Sequence, residues 1–313
     1  MKVLLTGASS FTGYHFASAM AAAGHEMTCV FTGQEPDYSG IRGLRVKGLL
    51  AVAKPAFGVR FGDDTYLGLV ASGGFQLLCC HGAYMDNYRS PDFDFERAIS
   101  QDTQNLAKVF QAAAGNGVAG VVYTGSVFEP GEGCGSEALR AVSVYGATKG
   151  AVYEYFRVFA ETHQVPLAKF VIPNPFGTFE EPKLPSYLMK MWRSGQKPEI
   201  KTPTYVRDNV HADLLAKCYL RWCEGFVAHP EHGASVHPSG YIESQGAFVR
   251  RMADEMRARL GWACEAAFAH QVTFPEPRIR VNVDAAEAIS EDWSETAAWD
   301  SIAEYYSEHL GLY

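Results

Sequence analysis

The sequence predicts an α/β fold, a doubly wound parallel sheet followed by a smaller C-terminal lobe. Two observations carry this. Short apolar runs alternate with segments of helical period over the first half of the 313 residues, and strands separated by helices pair in parallel. The first run, Val3 to Leu5, also feeds through Thr6-Gly7 into a helical pattern at Phe11, Phe16, Ala17 and Met20. A strand, a glycine turn and a helix in that order aim the helix's free N–H groups and positive dipole end at one point, which suits a pyrophosphate.

The elements follow in order. Gly7 closes the turn, and Gly13 lets the helix lie close to the strand. Ser10 stands where a middle glycine is usual and still offers an N–H and a hydroxyl. Residues 27–31 read as the second strand. An acid often ends this strand to hold a ribose 2′-hydroxyl. Here Thr32-Gly33-Gln34 intervene before Glu35, and Arg42 and Arg45 follow. That pattern favours the 2′-phosphate of NADP, with NAD kept open should Glu35 or Asp37 reach the ribose. Residues 59–64 read as a third strand ending in acids. Residues 75–83 read as the fourth, with a small Gly82-Ala83 tip across which a cofactor can lie. Residues 95–114 read as one helix and 118–126 as the fifth strand. After a loop rich in glycine and acid, 129–137, a helix opens near Ser143. It carries Tyr145 and Lys149, four apart and so on one face. Residues 167–172 read as the sixth strand, leading into Pro173-Asn174-Pro175-Phe176-Gly177. Residues 179–185 then carry the chain out, and helices are expected over 183–192, 208–222, 244–260 and 296–310.

Bulk properties narrow the function. Hydrophobic content of 47% and charged content of 20% describe an ordinary globular protein. A formal net charge of −8 argues against non-specific nucleic-acid binding. No apolar stretch reaches the length of a membrane span and no signal peptide precedes the first strand, so a cytoplasmic enzyme without membrane contact is expected. Seven scattered cysteines suit reduced core thiols. No metal is expected: His229, His232 and His237 lie among Pro and Gly, with no cysteine or paired carboxylate beside them in sequence.

Five stretches together resemble the extended short-chain dehydrogenases/reductases, in particular the NAD(P)-dependent nucleotide-sugar epimerase/dehydratase group. They are TGASSFTG (6–13), YTGS (123–126), YGATK (145–149), PNPFG (173–177) and YVRDNVHADLLA (205–216). The resemblance implies a Rossmann-type sheet over residues 1–177, with later segments returning to it, and a substrate-binding lobe over 178–313. It implies a catalytic set of Ser126, Tyr145 and Lys149. Its cofactor contacts fall at Gly7, Ser10, Phe11, Thr12 and Gly13, then Thr32, Asp63, Gly82, Ala83, Tyr145, Lys149 and Pro173. Ser126, Asn174 and Arg207 are the implied substrate contacts, the last two on a diphosphate. The chain departs from the group's pattern at the middle glycine, at the acid after the second strand, and in NPFG. Val127-Phe128 replace the Asp-Glu pair of the group's dehydratases, which disfavours dehydration.

The chemistry implied is hydride transfer at a sugar carbon, with Tyr145 as acid/base and Ser126 holding the substrate oxygen. A free phenol titrates near pH 10, so Lys149 and the cofactor's positive ring would have to stabilise the phenolate by about 4 kcal/mol. Cys134, between Ser126 and Tyr145, is expected in the loop above the reacting carbon, as a bystander or as a proton carrier. A homodimer is expected, the helices 95–114 and 145–163 pairing across a two-fold axis through Leu106, Val109, Phe110, Val152, Phe156 and Phe159. Two other readings stay open: an NADPH-dependent reductase of a small carbonyl compound not linked to a nucleotide, and a non-catalytic dinucleotide-binding regulator.

Overall fold

The structure, a computed structural model, describes residues 1–290 and 292–312. Seven parallel strands make the main sheet: β1 (Lys2–Leu5), β2 (Glu26–Phe31), β3 (Lys54–Phe57), β4 (Leu77–Cys80), β5 (Gly120–Ser126), β7 (Leu167–Ile172) and β11 (Ser235–Val236). Their spatial order is β11-β7-β5-β4-β1-β2-β3. The order reverses between β1 and β4, and ligands of such sheets bind at the carboxyl ends of the strands flanking that switch. Side chains alternate across the sheet. Val3 and Leu5 join a core with α1 (Phe11–Ala22), α2 (Gly40–Leu50) and α8 (Ala212–Ala228), while Leu4 faces α3 (Asp64–Ser72), α5 (Leu106–Gly115) and α6 (Val144–His163).

The second sheet contains β6 (Cys134–Gly135), β8 (Asn174–Phe176), β10 (Val206–His211), β13 (Tyr241–Ser244) and β15 (Ile279–Val281), with β10 paired to three of the others. Two short pairs complete the strands: β9 (Glu199–Ile200) with β14 (Ala267–Phe268), and β12 (Pro238–Ser239) with β16 (Asp284–Ala285). A third core joins α7 (Leu184–Arg193), α9 (Gln245–Leu260) and α11 (Glu295–His309) through Met189, Trp192, Phe248, Met252 and Trp299. The remaining helices are α4 (Phe95–Asp102) and the single turn α10 (Ala286–Ile289).

Four expectations are corrected. The third strand is Lys54–Phe57, and residues 59–64 form the loop that leads into α3. β3 closes one edge of the sheet and is half exposed, so it lacks an apolar run and tolerates Pro55. The helix expected over 95–114 is broken at Thr103–Asn105, where Asn105 takes φ +50°. The helix expected from 208 starts at Ala212, because Val206–His211 is drawn into pairing with β8, β13 and β15. Finally, Leu106, Val109, Phe110, Val152 and Phe156 are buried in the chain's own core, with Phe159 packed against it. They cannot form an outer face; Phe95, Tyr155 and Val158 are the large apolar residues these helices expose.

Candidate active site

Two strand tips meet at the switch point. Gly7 has φ +71°, and a Cβ on it would lie 2.7 Å from the Gly82 nitrogen, so the chain after β1 can touch the chain after β4 only because residue 7 is glycine. Ser10 caps α1: its hydroxyl accepts from Gly13 N at 3.2 Å and donates to Gly7 O at 2.7 Å. A Cβ on Gly13 would lie 2.2 Å from Gly7 O. Gly13 therefore admits the turn's carbonyl rather than the strand. A side chain at Gly7 would thus collide with the backbone after β4, and the turn leaves the α1 N-terminus open to the cavity.

This cavity, of about 1030 Å³, opens from the turn. Gly7, Ser10, Phe11 and Thr12 line it from the first turn, and Thr32, Gly82 and Ala83 from the next two strand tips. Ser126, Tyr145 and Lys149 line it too. The expected Asp63 does not. Its carboxylate caps α3, accepting from Tyr66 N and Arg60 N at 2.7 Å each. Pro173 is also absent from the lining, which its neighbours Ile172 and Pro175 provide. Cys134 sits exposed on β6 against Val281, outside the lining.

The three central side chains sit in different surroundings. Lys149 is buried, donates to Thr124 O at 2.7 Å and lies 4.2 Å over the Tyr123 ring. Burial lowers its proton affinity, against the pull of Glu129 and Asp102. Ser126 donates its N–H to Glu129 Oε1 at 2.7 Å, and its hydroxyl accepts from Phe128 N at 3.2 Å. The Tyr145 ring is flanked edge-on by Tyr88 and Phe93, with centroids 5.5 and 5.8 Å away. The phenol was expected to be made acidic by Lys149. Within the chain alone it is pushed upward instead, by burial first and then by Glu129, Asp102 and Tyr88.

Two lining residues escaped the sequence reading. His81 Nε2 lies 3.0 Å from Ser10 Oγ and 3.1 Å from Thr12 Oγ1, while its Nδ1 is buried without a hydrogen-bond partner. Burial, aided by Lys149, pushes its pKa down to about 3. Asp102, at the end of α4, accepts from Tyr84 N at 3.0 Å, and burial raises its pKa to about 6. A histidine ending an apolar strand and an acid ending an amphipathic helix look like ordinary sequence, and only the fold brings them to the cavity.

At the far side of Thr32, Arg42 lines the cavity and donates to Ser9 Oγ from Nε at 3.0 Å and from Nη2 at 2.8 Å. Its guanidinium lies over Tyr38. Glu35 and Asp37 lie in a 3-10 turn that does not line the cavity, and Asp37 accepts from Gln34 N. Arg45 is buried and bonds Glu181, tying α2 to the segment 177–183.

Asn174 and Arg207 share a second, small cavity of about 70 Å³, which adjoins the large one at Pro175 and Lys183. Asn174 donates to Asn209 Oδ1 at 2.9 Å. Arg207 bonds Glu276 at 2.9 Å and the carbonyls of Val206, Pro277 and Arg278, and stacks on Tyr205. The fold brings distant carboxylates to two of the three histidines: Glu132 lies 2.8 Å from His237 and Glu161 3.6 Å from His232. Among the described residues no three His, Cys, Asp or Glu side chains group as a metal site.

Comparison with known proteins gives three findings. The model of the NAD dependent epimerase/dehydratase family matches residues 88–234. No curated protein matches the chain. Solved structures match it along nearly its whole length. UDP-glucuronic acid 4-epimerase from Bacillus cereus, as a mutant bound to a UDP-fluoro sugar and NAD, aligns with TM-score 0.76 at 15% identity, covering 98% of this chain and 99% of that one. UDP-glucose 4-epimerase from Thermotoga maritima, with UDP-glucose, gives 0.73 at 16%, covering 99% and 100%. The dTDP-glucose 4,6-dehydratase DesIV from Streptomyces venezuelae, with NAD, gives 0.73 at 17%, covering 100% and 99%. At these identities the likeness is one of fold.

Proposed function

We propose that this chain, whose residues 88–234 match the model of the NAD dependent epimerase/dehydratase family, is an NAD(P)-dependent oxidoreductase/epimerase acting on a nucleotide-diphosphate sugar. The observation that carries the reading is that Ser126, Tyr145 and Lys149 line the same cavity as the glycine turn. The residues present fit the cofactor: Gly7, Ser10, Phe11 and Thr12 line the cavity at the start of α1, where the helix directs its free N–H groups. NAD(P), when bound, supplies the hydride acceptor and a positive ring.

The chain's own residues then divide the work. Gly7, Ser10, Phe11, Thr12 and Thr32 border the cofactor, with Gly82 and Ala83 across the switch point. Ser126 Oγ holds the substrate oxygen by a hydrogen bond, and Tyr145 exchanges its proton with that oxygen. Lys149, held on Thr124 O, orients the ribose and keeps positive charge near Tyr145. Structures of the same fold solved with UDP-sugars support the substrate class. Asn174 and Arg207 are the donors assigned to the diphosphate.

Arg42 supports NADP, since of Arg42 and Arg45 it is the one that lines the cavity, while Glu35 and Asp37 do not. The chain is assigned as a cytoplasmic homodimer; free thiols at all seven cysteines suit a reducing compartment. One observation favours a second reading. The Arg207 fork is already occupied by Glu276 and three carbonyls, which leaves it less free for phosphate than a nucleotide-diphosphate substrate requires and favours a reductase of a small carbonyl compound. Calorimetry with UDP and dTDP separates the two, because absence of binding by both leaves the reductase as the better account.

Catalysis is tested by Tyr145→Phe and Lys149→Met. With a nucleotide sugar that turns over, Tyr145→Phe is expected to lose at least about a hundredfold in rate with cofactor affinity intact. Lys149→Met is expected to lose rate and cofactor affinity together. Near-native rates in both variants would refute the mechanism.

A further inference from the structure

Behind Ser126 lies a buried charge cluster that the proposed reaction leaves unused. Glu129, fully buried, accepts the Ser126 N–H on Oε1 at 2.7 Å and Lys169 Nζ on Oε2 at 2.6 Å. The same Lys169 nitrogen donates to Glu132 at 2.6 Å, and Glu132 meets His237 at 2.8 Å. Arg280, also buried, donates to the carbonyls of Val127, Glu129 and Arg140, and so fixes the backbone on both sides of the Glu129 side chain. Lys169 further lies 4.1 Å over the Tyr153 ring. Two carboxylates thus share one ammonium inside the protein, an arrangement costly to bury unless the charges are held in register.

We propose that Glu129 is a positioning residue for the reaction, acting on Ser126 through the backbone amide and on Tyr145 and Lys149 through its charge. This rests on the reading of Tyr145 as the acid/base. One carboxylate reaches both groups by different means. Its Oε1 bond sets where β5 ends and hence where the Ser126 hydroxyl stands. Its charge faces Tyr145 together with Asp102 from α4 and Tyr88 from the loop after β4. Around Lys149 the charged and titratable neighbours are Glu129, Asp102, Lys169 and Cys80. Glu129 therefore opposes the phenolate and supports the ammonium at once, and Lys169 works against the second effect. Lys169 and Arg280 match the two carboxylates in number, so the effect at Tyr145 comes from where Glu129 stands and not from a net charge of the cluster.

Glu129→Gln tests this because it keeps an oxygen for Ser126 N–H and leaves Lys169 paired with Glu132. The readout is tyrosine labelled with carbon-13 at Cζ in NAD⁺-saturated protein, titrated by NMR, with Tyr145→Phe assigning the signal. The phenol of Glu129→Gln is expected to ionise at lower pH than the native one, by at least about half a unit. Ionisation at the same pH in both proteins overturns the proposal. Should Glu129→Gln not fold, Glu132→Gln carries the test: it also removes one negative charge and is expected to give a smaller drop in the same direction. No shift there overturns the proposal equally. Turnover by Tyr145→Phe reports on the catalytic reading itself, so the two failures are distinguishable.

Discussion

Acid should loosen the lobe that carries Asn174 and Arg207, and His211 supplies a calculable part of the effect. This histidine ends β10 and is 2% exposed. It packs against Phe176, Trp299 and Trp293 with ring centroids at 4.4, 4.6 and 5.3 Å, and its Nε2 lies 3.2 Å from the Tyr241 hydroxyl. Burial, reinforced by Arg251, pushes its pKa from 6.5 down to about 3. A depressed histidine contributes stability that is present above its unfolded pKa and lost as pH falls towards the folded one. Below pH 6.5 the unfolded chain takes up a proton that the folded chain refuses, so unfolding becomes easier with acid. At about 1.4 kcal/mol per unit, moving to pH 5 removes roughly 2 kcal/mol through this one residue. The perturbation is His211→Gln, and the assay is urea unfolding at pH 7 and pH 5 followed by tryptophan fluorescence. His81 acts in the same sense and Asp102 in the opposite sense, so the informative quantity is the native-minus-variant difference in acid-induced loss. A native loss exceeding the variant's by about 2 kcal/mol is expected. Equal losses would refute the reasoning, whatever the absolute stability of His211→Gln.

Two further predictions concern the cofactor and the assembly. Charge-assisted hydrogen bonds contribute about 1.5–3 kcal/mol, so Arg42→Ala is expected to weaken NADPH binding at least tenfold and leave NADH nearly unchanged. Fluorescence titration checks it, and equal loss for both cofactors removes the argument for a 2′-phosphate. Static light scattering is expected to show a dimer at micromolar concentration that Tyr155→Glu/Val158→Glu dissociates. A native monomer would end the assignment.

Much of the sheet could be read directly. LAKFVI at 167–172 forms a strand with those bounds, and Ser143 caps the helix that carries Tyr145 and Lys149. Such elements state their structure locally, by an unbroken apolar run or by a capping side chain. What escaped depends on distant partners. Val206–His211 contains Arg, Asp, Asn and His in six residues, and becomes a strand only because three others flank it. Apolar residues at helical spacing on α5 and α6 gave no sign of which face meets solvent, and Leu106 and Phe156 proved to face inward. Within the site, the glycine turn and the Tyr-Lys pair were legible because their spacing is itself the function. Asp102, His81 and the Glu129–Lys169 pair were not, since the partners of Glu129 lie 3 and 40 residues away in sequence.

The packing of α8 against α1 has a consequence for how the protein is made. Phe16 stacks on Tyr219 at 4.0 Å, and the inner face of α1 shares a core with Leu214, Leu215 and Cys218. On the ribosome, roughly two hundred residues separate the emergence of those partners. At about 5–20 residues per second, the apolar face of the first helix waits some 10–40 s for its cover. The edge of the main sheet closes later still, when β11 pairs with β7. The nascent chain thus carries its cofactor-binding turn early but cannot seal the layer behind it until α8 and β11 have been synthesised. Long-range closure of this kind slows folding, and in that interval the exposed helix face is the surface a chaperone would meet first.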